Sequence, residues 1–192
     1  MRRLPDPPVL RPRVETIVMM TKPEITARLG DIVKQADCDA IVNSANGNLR
    51  AGSGVCGAIY AGAGPSLEPY SMTKAPLGLA QAIETPAFNL PNRWIIHCRG
   101  PRFHSDPDPA HHLALCLTNT LLLAERLGVN RIAVPAISMG IFAYPPEEAA
   151  MILVQSARAM LDRLPSVQEI RFAVTKRELL NLFEREIDSN QR

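Results

Sequence analysis

The sequence lacks a charge imbalance and a long hydrophobic run, and each absence argues against a class of partner. Its 21 Lys and Arg residues nearly balance 19 Asp and Glu residues, which leaves a formal net charge of +2. Such a small charge argues against direct binding to nucleic acid or to a membrane surface. No stretch approaches the ~20 apolar residues of a transmembrane helix. We therefore expect neither nucleic acid nor a membrane as a direct partner.

Paired cysteines are also missing. The four cysteines lie far apart, at positions 38, 56, 98 and 116, and none belongs to a CxxC pair. This spacing predicts neither a disulfide framework nor a zinc knuckle, and it is typical of reduced thiols in the cytoplasm. Cys116 shares a predicted helix with His111 and His112, but further metal ligands are missing. We therefore predict a cytoplasmic protein without a metal site or a cofactor.

The chain has the size and composition of one globular unit. Its 192 residues, 46% of them hydrophobic, can bury one substantial core. We predict a single domain over residues 14–188, a flexible N-terminal tail at 1–13, a short C-terminal tail at 189–192, and a monomer. Prolines at positions 5, 7, 8 and 12 interrupt the apolar region that a signal peptide needs.

Apolar runs of strand length alternate with helical patterns. Strands are predicted at 15–20, 25–29, 40–43, 81–85, 93–98, 131–136 and 169–174, the first two as a hairpin. Helices are predicted at 58–62, at 65–70, from an Asp108 N-cap to Gly128, from Pro145 onward, and after a capping box at 175–178. This alternation predicts an α/β sandwich around a mixed sheet.

A glycine-rich loop at residues 51–57 follows the strand at 40–43. Three glycines and a serine in seven residues allow backbone N–H groups to crowd around an anion, and the helix that follows adds partial positive charge. Two more corners, at 30–31 and 138–142, also follow apolar strands. Ligands bind at the carboxyl ends of such strands. Two phosphate-competent loops plus the carboxylate of Asp31 suit a nucleotide diphosphate.

The same loop satisfies G-x-G-x-x-G through Gly52, Gly54 and Gly57, which raises a dinucleotide-binding Rossmann site as a rival. In a Rossmann unit the first glycine follows the strand at once, and an acidic residue lies about 20 positions further on. Here eight residues separate Asn43 from Gly52, and the acidic residues that follow are misplaced. The spacing therefore disfavours the Rossmann reading.

Motifs in a fixed order run through the chain. They are GDI at 30–32, DAIVNSAN at 39–46, GSGVCGAI at 52–59, LPNRWIIH at 90–97, GP at 100–101, VPAISMG at 134–140 and YP at 144–145. Together they resemble the macro domain, an ADP-ribose-binding module, across roughly residues 14–188. The resemblance implies a three-layer α/β/α sandwich with a mixed, mostly parallel central sheet of six to seven strands.

The resemblance also implies roles for individual residues. Asp31 would accept a hydrogen bond from the adenine amino group, with the Ile32 amide alongside, and Asn46 would bond the distal ribose. The ribose and one phosphate would be wrapped by Gly52, Ser53, Gly54, Val55 and Cys56. The diphosphate would be held by backbone N–H groups of Ser138, Met139, Gly140, Ile141 and Phe142, with the Phe142 ring on the distal ribose. From the residues alone, the alternatives are that Asp31 caps a turn and that Asn46 is an Asx-turn residue.

Departures from the family pattern bear on activity. The hydrolytic MacroD-like branch, which includes O-acetyl-ADP-ribose deacetylases, has an aspartate and a histidine where this chain has Cys56 and Tyr60. A thiol is a poorer general base than a carboxylate at neutral pH, although a helix N-terminus can activate one. The alternative role for Cys56 is that of a small, half-buried filler. Thr175 stands where the family often has an aromatic ring for the adenine. His97, within an apolar strand, is expected to be a core histidine. Asn43 is expected to be a structural residue that bonds its own corner.

Two functions of different classes follow from these observations. The first is a module that binds ADP-ribose, either free or attached to a protein. The second is a hydrolase of ADP-ribosyl esters, acting on mono-ADP-ribosylated protein or on O-acetyl-ADP-ribose, in which the ligand's own phosphate orients the attacking water. In that case Asn46 and Cys56 are the candidate catalytic residues.

Overall fold

The computed structural model describes residues 22–189. Its strands are β1 (Glu24–Leu29), β2 (Ala40–Ser44), β3 (Ala82–Pro86), β4 (Trp94–Cys98), β5 (Arg131–Val134) and β6 (Glu169–Val174). Its helices are α1 (Gly54–Ala63), α2 (Leu67–Met72), α3 (Pro109–Arg126), α4 (Pro146–Met160) and α5 (Arg177–Asp188), with short 3-10 turns at Ile32–Lys34 and Leu161–Arg163. None of the helices in this range is both long and apolar enough to cross a membrane.

The six strands form one sheet in the order β1-β6-β5-β2-β4-β3. Every neighbouring pair is parallel except β3 and β4, which are antiparallel. The carboxyl ends of the five parallel strands therefore meet at one edge of the sheet. Because β2 and β5 are direct neighbours, the loop after β2 and the loop after β5 emerge side by side at that edge.

Helices cover both faces of the sheet, as the alternation of strand side chains requires. In β2, Ala40 and Val42 pack into the core cluster that contains α3, α4 and α5. Ile41, between them in the chain, packs with α1, α2 and the first 3-10 turn on the opposite face. The fold is thus a three-layer α/β/α sandwich with a mixed, mostly parallel sheet, as predicted.

Several local predictions can be compared with these elements. The buried strands at 40–43 and 169–174 are confirmed, and Asp108 caps α3 by accepting a hydrogen bond from the His111 amide. The predicted capping box at 175–178 is wrong, because α5 begins at Arg177 after Lys176 and has no side-chain cap. The helix predicted at 58–62 begins earlier, at Gly54. The predicted strand at 15–20, its hairpin and the tail at 1–13 lie outside the described residues. So does the predicted tail at 189–192 except for Ser189, which is the C-cap of α5.

Candidate functional site

A cleft of about 190 Å³ opens between the loop after β2 and the loop after β5. It is lined by Ser44, Asn46, Gly52, Ser53, Gly54, Val55, Cys56, Ala136, Ser138, Gly140, Ile141 and Phe142. No lysine or arginine among the described residues is part of this lining. The recognition of an anion in the cleft would therefore depend on backbone amides.

The first loop supplies a run of amides with no internal acceptor. The amides of Gly52, Ser53, Gly54, Val55 and Cys56 form no hydrogen bond with any described residue. They include the start of α1, whose dipole adds partial positive charge at this end. The arrangement is a ready-made anion cradle.

The second loop presents amides from the opposite wall. Ser138 has a φ of 65°, in the left-handed region, and the loop closes through hydrogen bonds from the Tyr144 amide to the Ser138 carbonyl (3.0 Å) and from the Ala143 amide to the Gly140 carbonyl (2.9 Å). Within residues 22–189, the amides of Gly140, Ile141 and Phe142 have no acceptor. Donors from two loops thus face one cleft.

Gly100 allows the second loop to lie close to the end of β4. A Cβ atom at this position would come within 2.3 Å of Ser138 Oγ and 2.7 Å of Ile137 Cγ2. A larger residue here would require the side chains of Ser138 and Ile137 to move. The Ser138 hydroxyl is buried there and has no hydrogen-bond partner among the described residues.

Asn46 is engaged in the structure of its own loop. Its Oδ1 accepts hydrogen bonds from the amides of Asn48 (3.1 Å) and Arg50 (3.3 Å), and its Nδ2 donates to the Arg50 carbonyl at 2.7 Å. This is the Asx-type arrangement that the residues alone left open. Asn46 also lines the cleft, and one Nδ2 hydrogen remains for a ligand, so its predicted ribose contact is compatible with the turn.

Cys56 lies at the floor of the cleft as a neutral thiol. Its side chain is buried, its Sγ donates to the Arg50 carbonyl at 3.5 Å, and it accepts from Asn43 Nδ2 at 3.8 Å. Burial raises the pKa of this thiol above its ordinary value. The hydrogen bond from Asn43 lowers the pKa, but its effect is smaller. The geometry favours a small filler over an activated thiolate.

Tyr60 supports the first loop from behind. Its hydroxyl donates to the Leu49 carbonyl at 2.6 Å, and Ser71 Oγ donates to the same carbonyl at 2.8 Å. Burial raises the pKa of Tyr60 to about 12. Glu68 adds a third support, since its carboxylate accepts from the Ala51 amide at 3.0 Å. Sequence reasoning did not identify these supports, because the residues involved are distant along the chain.

Phe142 is held in place at the mouth of the cleft. Its carbonyl accepts from the Phe103 amide at 3.0 Å, and the Arg102 guanidinium lies 5.5 Å from the centre of its ring. Next to it, Ile141 is 82% exposed, an unusual position for a large apolar side chain. The mouth thus offers an aromatic ring and an aliphatic side chain to a ligand.

Asp31 and Ile32 lie away from the cleft lining. They follow β1, which is three strand positions from β2, or about 14 Å at the usual spacing of about 4.8 Å. One Asp31 oxygen accepts from the Val33 amide at 3.1 Å, so this residue does cap a turn. Thr175 is exposed and directly follows β6, the neighbour of β1. It therefore lies at the same end of the sheet edge as Asp31. Asp31 and the cleft therefore lie at separate points along one edge.

His97 is a core histidine, as predicted. It is fully buried, with ring nitrogens 3.0 Å from Asn43 Nδ2 and 3.0 Å from Thr85 Oγ1. Desolvation lowers the pKa of His97 to about 3, so the ring is neutral. Asn43 bonds His97 and Cys56 rather than its own corner, which corrects the earlier expectation for that side chain.

The cleft brings together most of the predicted site residues. Of these, Asp31 and Ile32 lie at the β1 end of the edge, outside the cleft lining, and Met139 lies in the second loop without lining the cleft. Sequence reasoning missed Ser44 and Ala136, which carry no chemical signal of their own. Within residues 22–189, no three His, Cys, Asp or Glu side chains form a group that could hold a metal ion.

Comparison with known proteins identifies the family. The model of the macro domain family matches residues 42–153. The O-acetyl-ADP-ribose deacetylase of Klebsiella pneumoniae is 37% identical over 172 residues, which cover 87% of this chain and 97% of the relative. This chain belongs to the macro domain family.

Solved structures of the family share the fold. The Oceanobacillus iheyensis macrodomain, solved with ADP, superposes with a TM-score of 0.82 at 30% identity, over 88% of this chain and 93% of that one. The Trypanosoma brucei macrodomain in complex with ADP-ribose has a TM-score of 0.78 at 28% identity, over 84% of this chain and 68% of that one.

Proposed function

We propose that this protein binds ADP-ribose, as the free nucleotide or as a group attached to a protein, and that it does so in the cytoplasm. One observation carries the proposal. The amides of two loops, Gly52 to Cys56 and Gly140 to Phe142, have no hydrogen-bond partner among residues 22–189, and their residues line a single cleft at the junction of β2 and β5. Relatives solved with ADP and with ADP-ribose support the same choice of ligand.

The spacing along the sheet edge suits a ligand with two ends. The amides of the cleft match a diphosphate, and the ring of Phe142 offers a surface for the distal ribose. At the β1 end of the same edge, three strand positions from β2 or about 14 Å, Asp31 offers a carboxylate for the adenine amino group. In this orientation Asn46 lies beside the distal ribose, which is the part of ADP-ribose that carries a protein or an acetyl group.

Calorimetric titration with ADP-ribose tests the proposal. We expect saturable binding with a Kd well below ~1 mM, weaker binding of ADP, and none of adenosine, because adenosine lacks the diphosphate that the cleft amides hold. Since no lysine or arginine within residues 22–189 lines the cleft, the affinity should change little between low and moderate salt. Failure to bind ADP-ribose at millimolar concentration would contradict the proposal.

A second function, hydrolysis of an ADP-ribosyl ester, is favoured by the relative named O-acetyl-ADP-ribose deacetylase. The attacking water would add to the distal ribose carbon or to the acyl carbon, and the ester oxygen would leave with a proton. Cys56 is neutral and buried, so the water would be oriented by the ligand's phosphate and by Asn46. The turnover expected from such a site is slow.

Substitutions at Cys56 separate the two functions. We expect Cys56→Ala to leave the affinity for ADP-ribose, and any turnover of O-acetyl-ADP-ribose, within about threefold of the natural protein, because the thiol only fills space. Cys56→Asp should create or raise turnover, since burial lifts the pKa of a carboxyl toward neutrality, where a general base is most effective.

The matched control for this pair is Cys56→Asn, which has the shape of aspartate without its charge and should give no added turnover. Product release is followed by chromatography of the nucleotide, with mono-ADP-ribosylated protein as a second substrate. Complete loss of turnover in Cys56→Ala would assign the thiol a catalytic role, contrary to its role as a filler.

A further inference from the structure

A buried ion network lies behind the Asp31 end of the sheet edge. Arg171, in β6, is only 1% exposed. All five of its N–H donors are used: two on Glu169, two on Asp37 and one on Gln35, at 2.7 to 3.1 Å. Each N–H group of the buried guanidinium therefore has an acceptor, and these five hydrogen bonds fix the positions of the side chains in the network.

Gln35 connects this network to Asp31. Its Oε1 accepts from Arg171 Nη1 at 3.1 Å, and its Nε2 donates to the Asp31 carbonyl at 3.0 Å. The same amide packs against Gly30, where an added Cβ would lie 3.2 Å from Nε2. The backbone of Gln35 is also held, since Asn92 Nδ2 donates to its carbonyl at 2.9 Å. The amide of Gln35 therefore cannot rotate without breaking a buried bond.

The carboxylate of Asp31 depends on this backbone position. One oxygen accepts from the Val33 amide, and the other has no partner among the described residues and is available to a ligand. Gly30 is held on its other side by the Val174 carbonyl, at 2.8 Å from its amide. The direction of the free oxygen is thus set by β6 on one side and by Gln35 on the other.

We propose that Gln35 and Arg171 are positioning residues for the adenine end of the site: Arg171 fixes the Gln35 amide, and Gln35 aims the Asp31 carboxylate. This inference rests on the proposed binding of ADP-ribose. Neither residue touches the ligand, and both act through Asp31. The consequence is specificity for the adenine base, while the diphosphate remains bound by the amides of the cleft.

Two ligands that differ only at the base test this role. ADP-ribose presents a 6-amino donor to Asp31, whereas inosine diphosphate ribose presents a carbonyl oxygen that the carboxylate repels. We expect the natural protein to prefer ADP-ribose by ~tenfold. In Gln35→Met, which removes both bonds of Gln35, this preference should fall to within ~threefold, mainly through weaker binding of ADP-ribose.

Thr26→Val is the matched control. Thr26 Oγ1 donates to Glu169 Oε1 at 2.7 Å, so this substitution disturbs the same ion network on the side away from Asp31. It should lower stability but leave the base preference unchanged. Gln35→Glu is a second variant, which keeps an acceptor for Arg171 and removes only the donor to the Asp31 carbonyl. It should also reduce the preference, and it provides the test if Gln35→Met does not fold.

The outcomes are distinct. An unchanged preference in the Gln35 variants, or an equal fall in Thr26→Val, would overturn the positioning role. A natural protein that binds both nucleotides equally would also overturn it, while leaving the proposed function standing. If the natural protein binds neither nucleotide, the proposed function fails, and the positioning role fails with it.

Discussion

Gly57→Ala is expected to weaken ADP-ribose binding by ~10- to 100-fold while the protein stays folded. A Cβ atom at position 57 would lie 2.4 Å from the Gly52 carbonyl oxygen, whereas a carbon and an oxygen in contact are normally separated by about 3.3 Å. The obstructing atom is backbone, so the loop itself must move by almost 1 Å. That displacement takes the free amides of the first loop out of register with the diphosphate.

The cost to stability should be smaller than the cost to binding. Alanine has a higher helix propensity than glycine, by about 1 kcal/mol, and this gain offsets part of the strain in α1. The measurement is calorimetry with ADP-ribose alongside thermal unfolding of the same sample. We expect a large change in Kd with a modest change in Tm.

Gly62→Ala is the matched control, because it lies in the same helix. A Cβ atom there would lie 2.9 Å from Leu90 Cδ2, the end of a flexible side chain that can shift. This variant should bind ADP-ribose normally. Equal binding by Gly57→Ala and Gly62→Ala would show that the first loop does not hold the ligand.

Arg171→Met is expected to cost about 3–5 kcal/mol of folding free energy, a large part of the roughly 5–15 kcal/mol that stabilises a domain. The loss arises because Glu169, only 8% exposed, keeps its charge after its partner is removed. Asp37 also loses its partner, but its side chain is 48% exposed and remains hydrated. Urea unfolding can be followed through the single tryptophan, Trp94.

The pH dependence of this cost has a definite sign. Arg171 holds the pKa of Asp37 at about 2, below its ordinary 3.8, and also lowers the pKa of Glu169. Carboxyl groups with lowered pKa values stabilise the fold above their unfolded pKa, and that stability is lost as the pH falls toward the folded value. The natural protein should therefore lose stability from this network between about pH 4.5 and pH 2.

In Arg171→Met the buried Glu169 has a raised pKa and is neutralised by mild acid. The difference in unfolding free energy between the two proteins should therefore be largest near pH 7 and shrink below about pH 4. The control is Arg185→Met, since Arg185 pairs with Glu186 at the surface and should contribute less than ~0.5 kcal/mol. A difference that does not vary with pH would mean that the loss comes from packing and not from charge.

Local patterns in the sequence predicted elements whose signal is contained in a few residues. The strand at Ala40–Ser44 begins with a short apolar run, Ala40 to Val42, which is typical of a strand buried on both faces. Asp108 followed by proline marks the start of α3 for an equally local reason. The capping box at 175–178 failed, because α5 packs against the sheet and begins where that packing requires, not where side-chain capping favours it.

For the site, too, the sequence predicted local features but not the arrangement of residues that are distant in the chain. The glycine-rich loop and the corner at 138–142 were recognisable as anion-binding segments, because small residues and free backbone amides are local properties. That these loops face each other follows from β2 and β5 being neighbours, although 86 residues separate the end of β2 from the start of β5 in the chain. Sequence alone also left the role of Cys56 open, and the contacts with Arg50 and Asn43 favour a buried, neutral thiol.

By itself, the sequence determined the α/β class, the position of the anion-binding loops and membership of the macro domain family, since each depends on short motifs in a fixed order. Only the tertiary structure decided which side chains support those loops. Tyr60 reaches the Leu49 carbonyl, and Arg171 reaches Gln35, 136 residues away. Which side chains meet depends on the order of the strands and on the requirement that buried donors find acceptors. A local sequence pattern contains neither kind of information.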